Sequence, residues 1–91
     1  MVQIKALVWD EWNSEHIKKH HVSIEEVEEL CQGYYKNLPT YGERYLILGR
    51  TKAGRALTIV LARQKPGVYY LITARDMSKK ERRLFLNEQK S

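Results

Sequence analysis

The side chains best suited to chemistry in this 91-residue chain are a set of arginines and a cluster of histidines. Arg50 follows the apolar run Tyr45 to Leu48, Arg55 precedes the run Ala56 to Ala62, and Arg75 follows the run Val68 to Ile72. If these runs are antiparallel strands, the chain goes up, down and up, and the three arginines arrive at one end of the sheet. A guanidinium grips phosphate through two parallel hydrogen bonds and stays charged at any physiological pH. Such a trio can therefore hold a backbone phosphate and stabilise a pentavalent transition state. The same residues also serve as rim or salt-bridge partners, here for Asp76 and the acidic N-terminal helices. Arg44, Arg63 and Lys65 fall at the opposite end and are weaker candidates.

Asn13, His16, Ile17 and His20 are spaced i, i+3, i+4, i+7 and share one face of a helix, while Lys19 and His21 point elsewhere. Metal-independent RNA cleavage needs one group to take the 2′-OH proton and another to protonate the leaving 5′-oxygen. Histidine as a residue type titrates in the right range for both. His16, Lys19 and His20 are thus the candidate proton-transfer groups, although a histidine near a helix C-terminus is often a packing residue favoured by the dipole. His16 and His20 also have the i, i+4 spacing of a zinc pair, but H-E-x-x-H is absent and no third ligand is evident, so neither metal nor other cofactor is expected. Cys31, the sole cysteine, sits on an apolar stripe with no nearby base and reads as a packing residue. No Gly-rich phosphate loop and no G-x-S-x-G elbow occurs.

Charge supports a polyanionic partner. Residues 1–43 hold four Lys/Arg and eight Asp/Glu, a net of −4, whereas residues 44–91 hold twelve and three, a net of +9. A cationic block of that kind attracts nucleic acid and speeds its encounter. A membrane surface would want a broad apolar helix face, and Lys79 to Lys90 offers only Leu84, Phe85 and Leu86. No apolar run is long enough to span a bilayer and no secretory leader is evident, so a cytoplasmic location is expected, in keeping with a lone thiol.

The elements that must position these groups are legible in outline. Residues 1–91 should form one domain, with 43% apolar residues and nine aromatics to build a modest core. Val2, Ile4, Ala6 and Val8 alternate as in a half-buried strand. Asp10 should cap a helix over Glu11 to His20. Ser23 and Glu26 form a capping box, with Val22 and Val27 as its hydrophobic staple, so a second helix should start at Ile24 and end at Gly33. Tyr34 to Glu43 reads as a loop. The three apolar runs then form a meander through turns at Lys52-Ala53-Gly54 and Lys65-Pro66-Gly67. Ser78 and Glu81 repeat the capping box ahead of a basic helix from Lys79 to about Gln89, which brings its positive dipole end, Lys79 and Lys80 to the arginine edge. The expected fold is α+β, a small antiparallel sheet of the N-terminal strand plus the meander, packed by two N-terminal helices and one C-terminal helix.

The order of several short motifs resembles one family. Trp9-Asp10-Glu11-Trp12-Asn13, Glu15-His16-Ile17, Lys19-His20-x-Val22 and Glu25-Glu26-Val27 look like the N-terminal signature of BrnT-type toxins. Gly49-Arg50-Thr51, Ala53-Gly54-Arg55, Ile72 to Met77 and Glu81-Arg82-Arg83 are similar to that family's second half. The resemblance implies a RelE-like α+β ribonuclease toxin of a type II toxin–antitoxin pair, cleaving RNA without metal. It also implies a DNA-binding antitoxin as partner, a heterotetramer with it being one assembly open to the pair. By position, His16, Lys19, His20, Arg50, Arg55 and Arg75 match places the family fills with similar residues. His21 departs from the glycine usual before the valine, and would be strained if its φ is positive.

Two functions fit this pattern. In the first, an endoribonuclease toxin, Arg50 and Arg75 act on the scissile phosphate together with His16, Lys19 and His20, while Arg55, Lys79, Lys80, Arg82 and Arg83 bind RNA. In the second, a non-catalytic module uses the same basic surface for RNA or an acidic protein.

Overall fold

The structure is a computed structural model that describes residues 3–38, 40 and 42–90, excluding the side chains of residues 87–90. Along the chain run β1 (Ala6–Val8), α1 (Glu11–Lys18), α2 (Ile24–Gln32), β2 (Tyr35–Leu38), β3 (Arg44–Arg50), β4 (Ala56–Lys65), β5 (Val68–Asp76) and α3 (Lys79–Lys90). The strands form a single five-stranded sheet in the order β1-β5-β4-β3-β2.

The α+β class is as expected, and the sheet differs from expectation in two respects. It is mixed, because β1 pairs parallel to β5. It also gains a strand, because β2, read from the sequence as loop, pairs antiparallel with β3 along its whole length. Tyr-Lys-Asn-Leu lacks the apolar alternation that marks a strand, and its pairing with β3 overrides that weak propensity. The first strand is also shorter than the alternation suggested, with Val2 outside the described residues.

Each helix start follows its local code. Asp10 accepts from the Asn13 amide while Asn13 Oδ1 accepts from Asp10 N. Ser23 and Glu26 close the reciprocal box at α2, and Ser78 and Glu81 do so at α3. These contacts satisfy backbone donors that a helix leaves open at its N-terminus. α1 stops at Lys18, two residues before the expected end. Its C-terminus closes with Val22 N donating to Ile17 O and His21 N donating to Lys18 O, a Schellman pattern that needs a left-handed residue. His21 is that residue, at φ 58°.

The sheet has two unequal faces. On one, α1 and α2 bury Ile17, Val22, Val27 and Leu30 against Ile47, Leu57, Ile59, Leu61, Leu71 and Ala74. Gly49 lets α2 come close, because a Cβ there would stand 2.8 Å from Leu30 Cγ. On the other face, α3 packs Phe85 onto Leu48 and Met77 in a smaller cluster. Asn13 is fully buried and ties α1 to the sheet, its Nδ2 donating to the carbonyls of Val8 and Leu71. Cys31 packs against the larger cluster, and burial pushes its thiol up to about 12, which keeps it protonated and unreactive.

Candidate active site

Strand register decides where the arginines arrive. Arg50 pairs with Ala56 across the β3–β4 hairpin, while Thr58 pairs with Arg75 across β4–β5. The ends of β3 and β5 therefore meet beside the start of β4, as the up-down-up reading required. Side chains alternate across the pleat, so Leu48, Arg50, Thr58 and Arg75 share the face that carries α3. Leu57 and Asp76 point to the face that carries α1 and α2.

Arg75 and Glu81 form a two-pronged ion pair on the α3 face. Arg75 Nη1 donates to Glu81 Oε1 at 2.8 Å and Nη2 donates to Glu81 Oε2 at 2.9 Å. Glu81 Oε1 also accepts from the fully buried Thr58 hydroxyl at 2.8 Å and from Ser78 N at 2.8 Å. The hydrogen bonds from Arg75 lead the causes that lower the Glu81 carboxyl to about 2, with Ser78 and Thr58 adding to them. Arg50 is exposed, and its Cζ lies 5.5 Å from the centroid of the Phe85 ring, a cation–π contact that lays the guanidinium against α3. Lys79, Lys80, Arg82 and Arg83 are exposed on the first turns of α3.

Arg55 lies at the same end but turns to the opposite face. Nε donates to Asp76 Oδ1 at 3.0 Å, Nη1 to Glu26 Oε1 at 3.0 Å and to His21 O at 2.6 Å, and Nη2 to His20 O at 3.4 Å. It thus joins β5, the start of α2 and the turn that follows α1. The hydrogen bond that Arg55 donates to Asp76 leads the causes that raise the Arg55 pKa, and the same bond leads those that lower Asp76.

The proton-transfer candidates lie on α1 (His16) and in the turn that follows it (Lys19, His20), on the sheet face opposite Arg75. His16 is half-buried and stacks on Trp12, with ring centroids 4.9 Å apart and planes 7° from parallel. His20 is exposed and meets His16 edge-on at 5.6 Å. Lys19 is exposed and lines the same shallow depression as Trp12 and His16. Among the described residues, no hydrogen bond or ring contact joins these three to Arg50 or Arg75. The turn after α1 does reach the arginine edge, through the His20 and His21 carbonyls on Arg55. Beyond Tyr70 the outer edge of β5 has no strand partner among the described residues, because β1 pairs only with Val68 to Tyr70.

Sequence reasoning missed the part played by Glu81 beyond its capping box, because the Thr58 contact spans 23 residues. It also missed the Trp12–His16 stack, which i, i+4 spacing on α1 made visible. Among the described residues, no group of three or more His, Cys, Asp or Glu side chains is placed to hold a metal ion, and no helix is long and apolar enough to cross a membrane.

Comparison with known proteins agrees with this architecture. The crystal structure of the Brucella abortus ribonuclease toxin BrnT superposes with a TM-score of 0.65 at 19% identity, covering 81% of this chain and 97% of that one. At that identity the likeness is one of fold. No curated protein sequence matches. The profile of the BrnT ribonuclease toxins of type II toxin–antitoxin systems matches residues 9–81, from Trp9 at the head of α1 to Glu81 beside Arg75. The chain belongs to that family of ribonuclease toxins.

Proposed function

We propose that this toxin cleaves single-stranded RNA without a metal ion, by attack of a 2′-OH on the adjacent phosphate. Arg50 and Arg75 hold that phosphate and stabilise the charge that develops on its equatorial oxygens. The 2′-oxygen bonds to phosphorus, the P–O5′ bond breaks, and the products carry a 2′,3′-cyclic phosphate and a 5′-OH. A group on α1 or the turn after it takes the 2′-OH proton and another returns a proton to the 5′-oxygen, with His16, Lys19 and His20 as the candidates. The observation that carries the reading is the meeting of Arg50 and Arg75 on one face of the sheet, beside the exposed Lys79 and Lys80. Lys79, Lys80, Arg82 and Arg83 bind phosphates on either side. Arg55 supports RNA binding chiefly by bracing α1 and α2, since all its nitrogens already donate within the protein.

The partner is a cognate antitoxin, which we propose binds operator DNA, joins the toxin in a heterotetramer and meets it in the cytoplasm. A binding-only reading draws on one observation, the separation of the α1 histidines from Arg75 by the sheet. Incubation with end-labelled RNA in EDTA separates the two. Products ending in 2′,3′-cyclic phosphate are expected, and intact RNA with a salt-dependent mobility shift would leave only the binding module.

A further inference from the structure

We propose that Glu81 is a positioning residue for RNA cleavage, turning the Arg75 guanidinium so that its side-on donor pair is left for the scissile phosphate. The inference rests on the reading of Arg75 as a phosphate-holding group. A guanidinium carries five N–H bonds in one rigid plane. In Arg75 the end-on pair, one hydrogen each from Nη1 and Nη2, goes to the two oxygens of Glu81. The other Nη1 hydrogen goes to the carbonyl of Asp76 at 3.2 Å. Nε–H and the second Nη2–H share the remaining edge, and among the described residues neither has a hydrogen-bond partner. The Arg75 side chain is 39% exposed. Two parallel donors on one edge match two oxygens of a phosphate.

What fixes the arginine is itself fixed. The Glu81 side chain is 13% exposed, and its carboxylate is held from β4 by Thr58 and from the start of α3 by Ser78. Swinging Arg75 would break bonds anchored on two separate elements. A carboxylate in this place also weakens the attraction of Arg75 for phosphate. Orientation and ground-state attraction thus pull in opposite directions, and this distinguishes a positioning residue from one that only supports the fold.

The test uses the purified full chain and its Glu81→Gln, Thr58→Val and Arg75→Ala variants. Three quantities are measured: thermal melting, affinity for a mixed-sequence 2′-O-methyl RNA, which lacks the attacking hydroxyl, and single-turnover cleavage of the matching RNA. Glu81→Gln should bind the methylated RNA as tightly as the parent or more tightly, yet cleave roughly 10- to 100-fold more slowly, the scale expected when a reacting group is misplaced. Cleavage that rises with affinity, or that falls only in step with it, overturns the inference. Thr58→Val keeps every charge, and should slow cleavage several-fold at unchanged affinity even if Glu81→Gln proves too unstable to assay. Full-speed cleavage by a folded Thr58→Val variant would also overturn the inference. Arg75→Ala isolates the underlying reading: if it cleaves at the parent rate, Arg75 does not hold the phosphate. If it is inactive while Glu81→Gln and Thr58→Val run at full speed, only the role of Glu81 is lost.

Discussion

Arg55 Nη1 lies 2.6 Å from the carbonyl oxygen of His21, and this contact holds a non-glycine residue in the left-handed region at φ 58°. The guanidinium supplies donors to carbonyls of the turn after α1 while pairing with Glu26 at the start of α2 and Asp76 at the end of β5. One side chain thereby fixes the angle between two helices and ties both to the candidate site. Replacing it with alanine would leave Glu26 and those carbonyls short of donors. Arg55→Ala should cost roughly 2 to 3 kcal/mol in urea denaturation, and Arg55→Lys should recover little, since a point charge cannot serve the four acceptor groups that the planar guanidinium reaches. A loss below about 0.5 kcal/mol, the ordinary surface value, would show that the contact is incidental.

His21 sets up a second stability test. Left-handed backbone costs an L-residue about 1 to 2 kcal/mol, and glycine costs roughly 0.5 to 1 kcal/mol in chain entropy. His21→Gly should therefore stabilise the protein by about 0.5 kcal/mol, whereas His21→Val should destabilise it by at least about 1 kcal/mol. If valine were tolerated as well as glycine in thermal melting, φ at this position would not be positive in solution.

Acid should unfold the protein through the carboxylates of the same edge. Glu81 is lowered from 4.5 to about 2, first by its hydrogen bonds from Arg75, and Glu26 and Asp76 are lowered too, first by Ser23 N and by Arg55 respectively. A carboxyl depressed in the folded state contributes stability above its unfolded pKa and loses it as pH falls through the folded value. Denaturation midpoints should thus be flat near neutrality and drop from about pH 5 towards 2, less steeply in Glu81→Gln. Equal midpoints at pH 3 and pH 6 would contradict the pairing.

The parts of this site that the sequence discloses are those coded locally. Ser78 and Glu81 announce the start of α3, and the alternation of Arg50, Arg55 and Arg75 with apolar runs announces their meeting at one end of the sheet. The face Arg55 takes depends on the path of the Thr51 to Arg55 turn, where Thr51 N donates to Arg55 O and Gly54 N to Thr51 O, and no short pattern reports that. The Thr58–Glu81 bond joins a strand centre to a later helix and exists only after packing. β2 was illegible because its neighbour supplies the pairing that its own residues do not advertise. The parallel placement of β1 is likewise a tertiary choice, made when Asn13 bridges the Val8 and Leu71 carbonyls.

Arg50 offers a test of the surface that is independent of turnover. Its charge is exposed against the Phe85 ring, so Arg50→Ala should weaken RNA binding at low salt with little loss of stability. Each phosphate contact with a single strand releases about 0.7 counterion, so the slope of log affinity against log salt should become shallower by roughly that amount. An unchanged slope would place Arg50 outside the RNA path.

The antitoxin provides the last prediction. A half-chain carrying a net charge of +9 needs an acidic cover in a cell full of RNA, and neutralisation is most direct if the cover sits on the groups that hold phosphate. An acidic amphipathic segment laid along the α3 face would meet Arg50, Arg75, Lys79 and Lys80 with its carboxylates. Leu86, which is 39% exposed, and Tyr34, which is 55% exposed, offer its apolar side a footing beside Phe85. Charge would then speed capture and apolar contact would slow release, so Arg50→Glu should depress the association rate far more than Leu86→Ala, and Leu86→Ala should raise the dissociation rate. In the complex the exposed Arg50 should resist modification by an arginine-selective dicarbonyl reagent, which condenses across the two Nη nitrogens, the pair that Glu81 already holds in Arg75. If Arg50 stays fully reactive in an inhibited complex, the antitoxin acts elsewhere, and the exposed Trp12 stacked on His16 becomes the surface to examine.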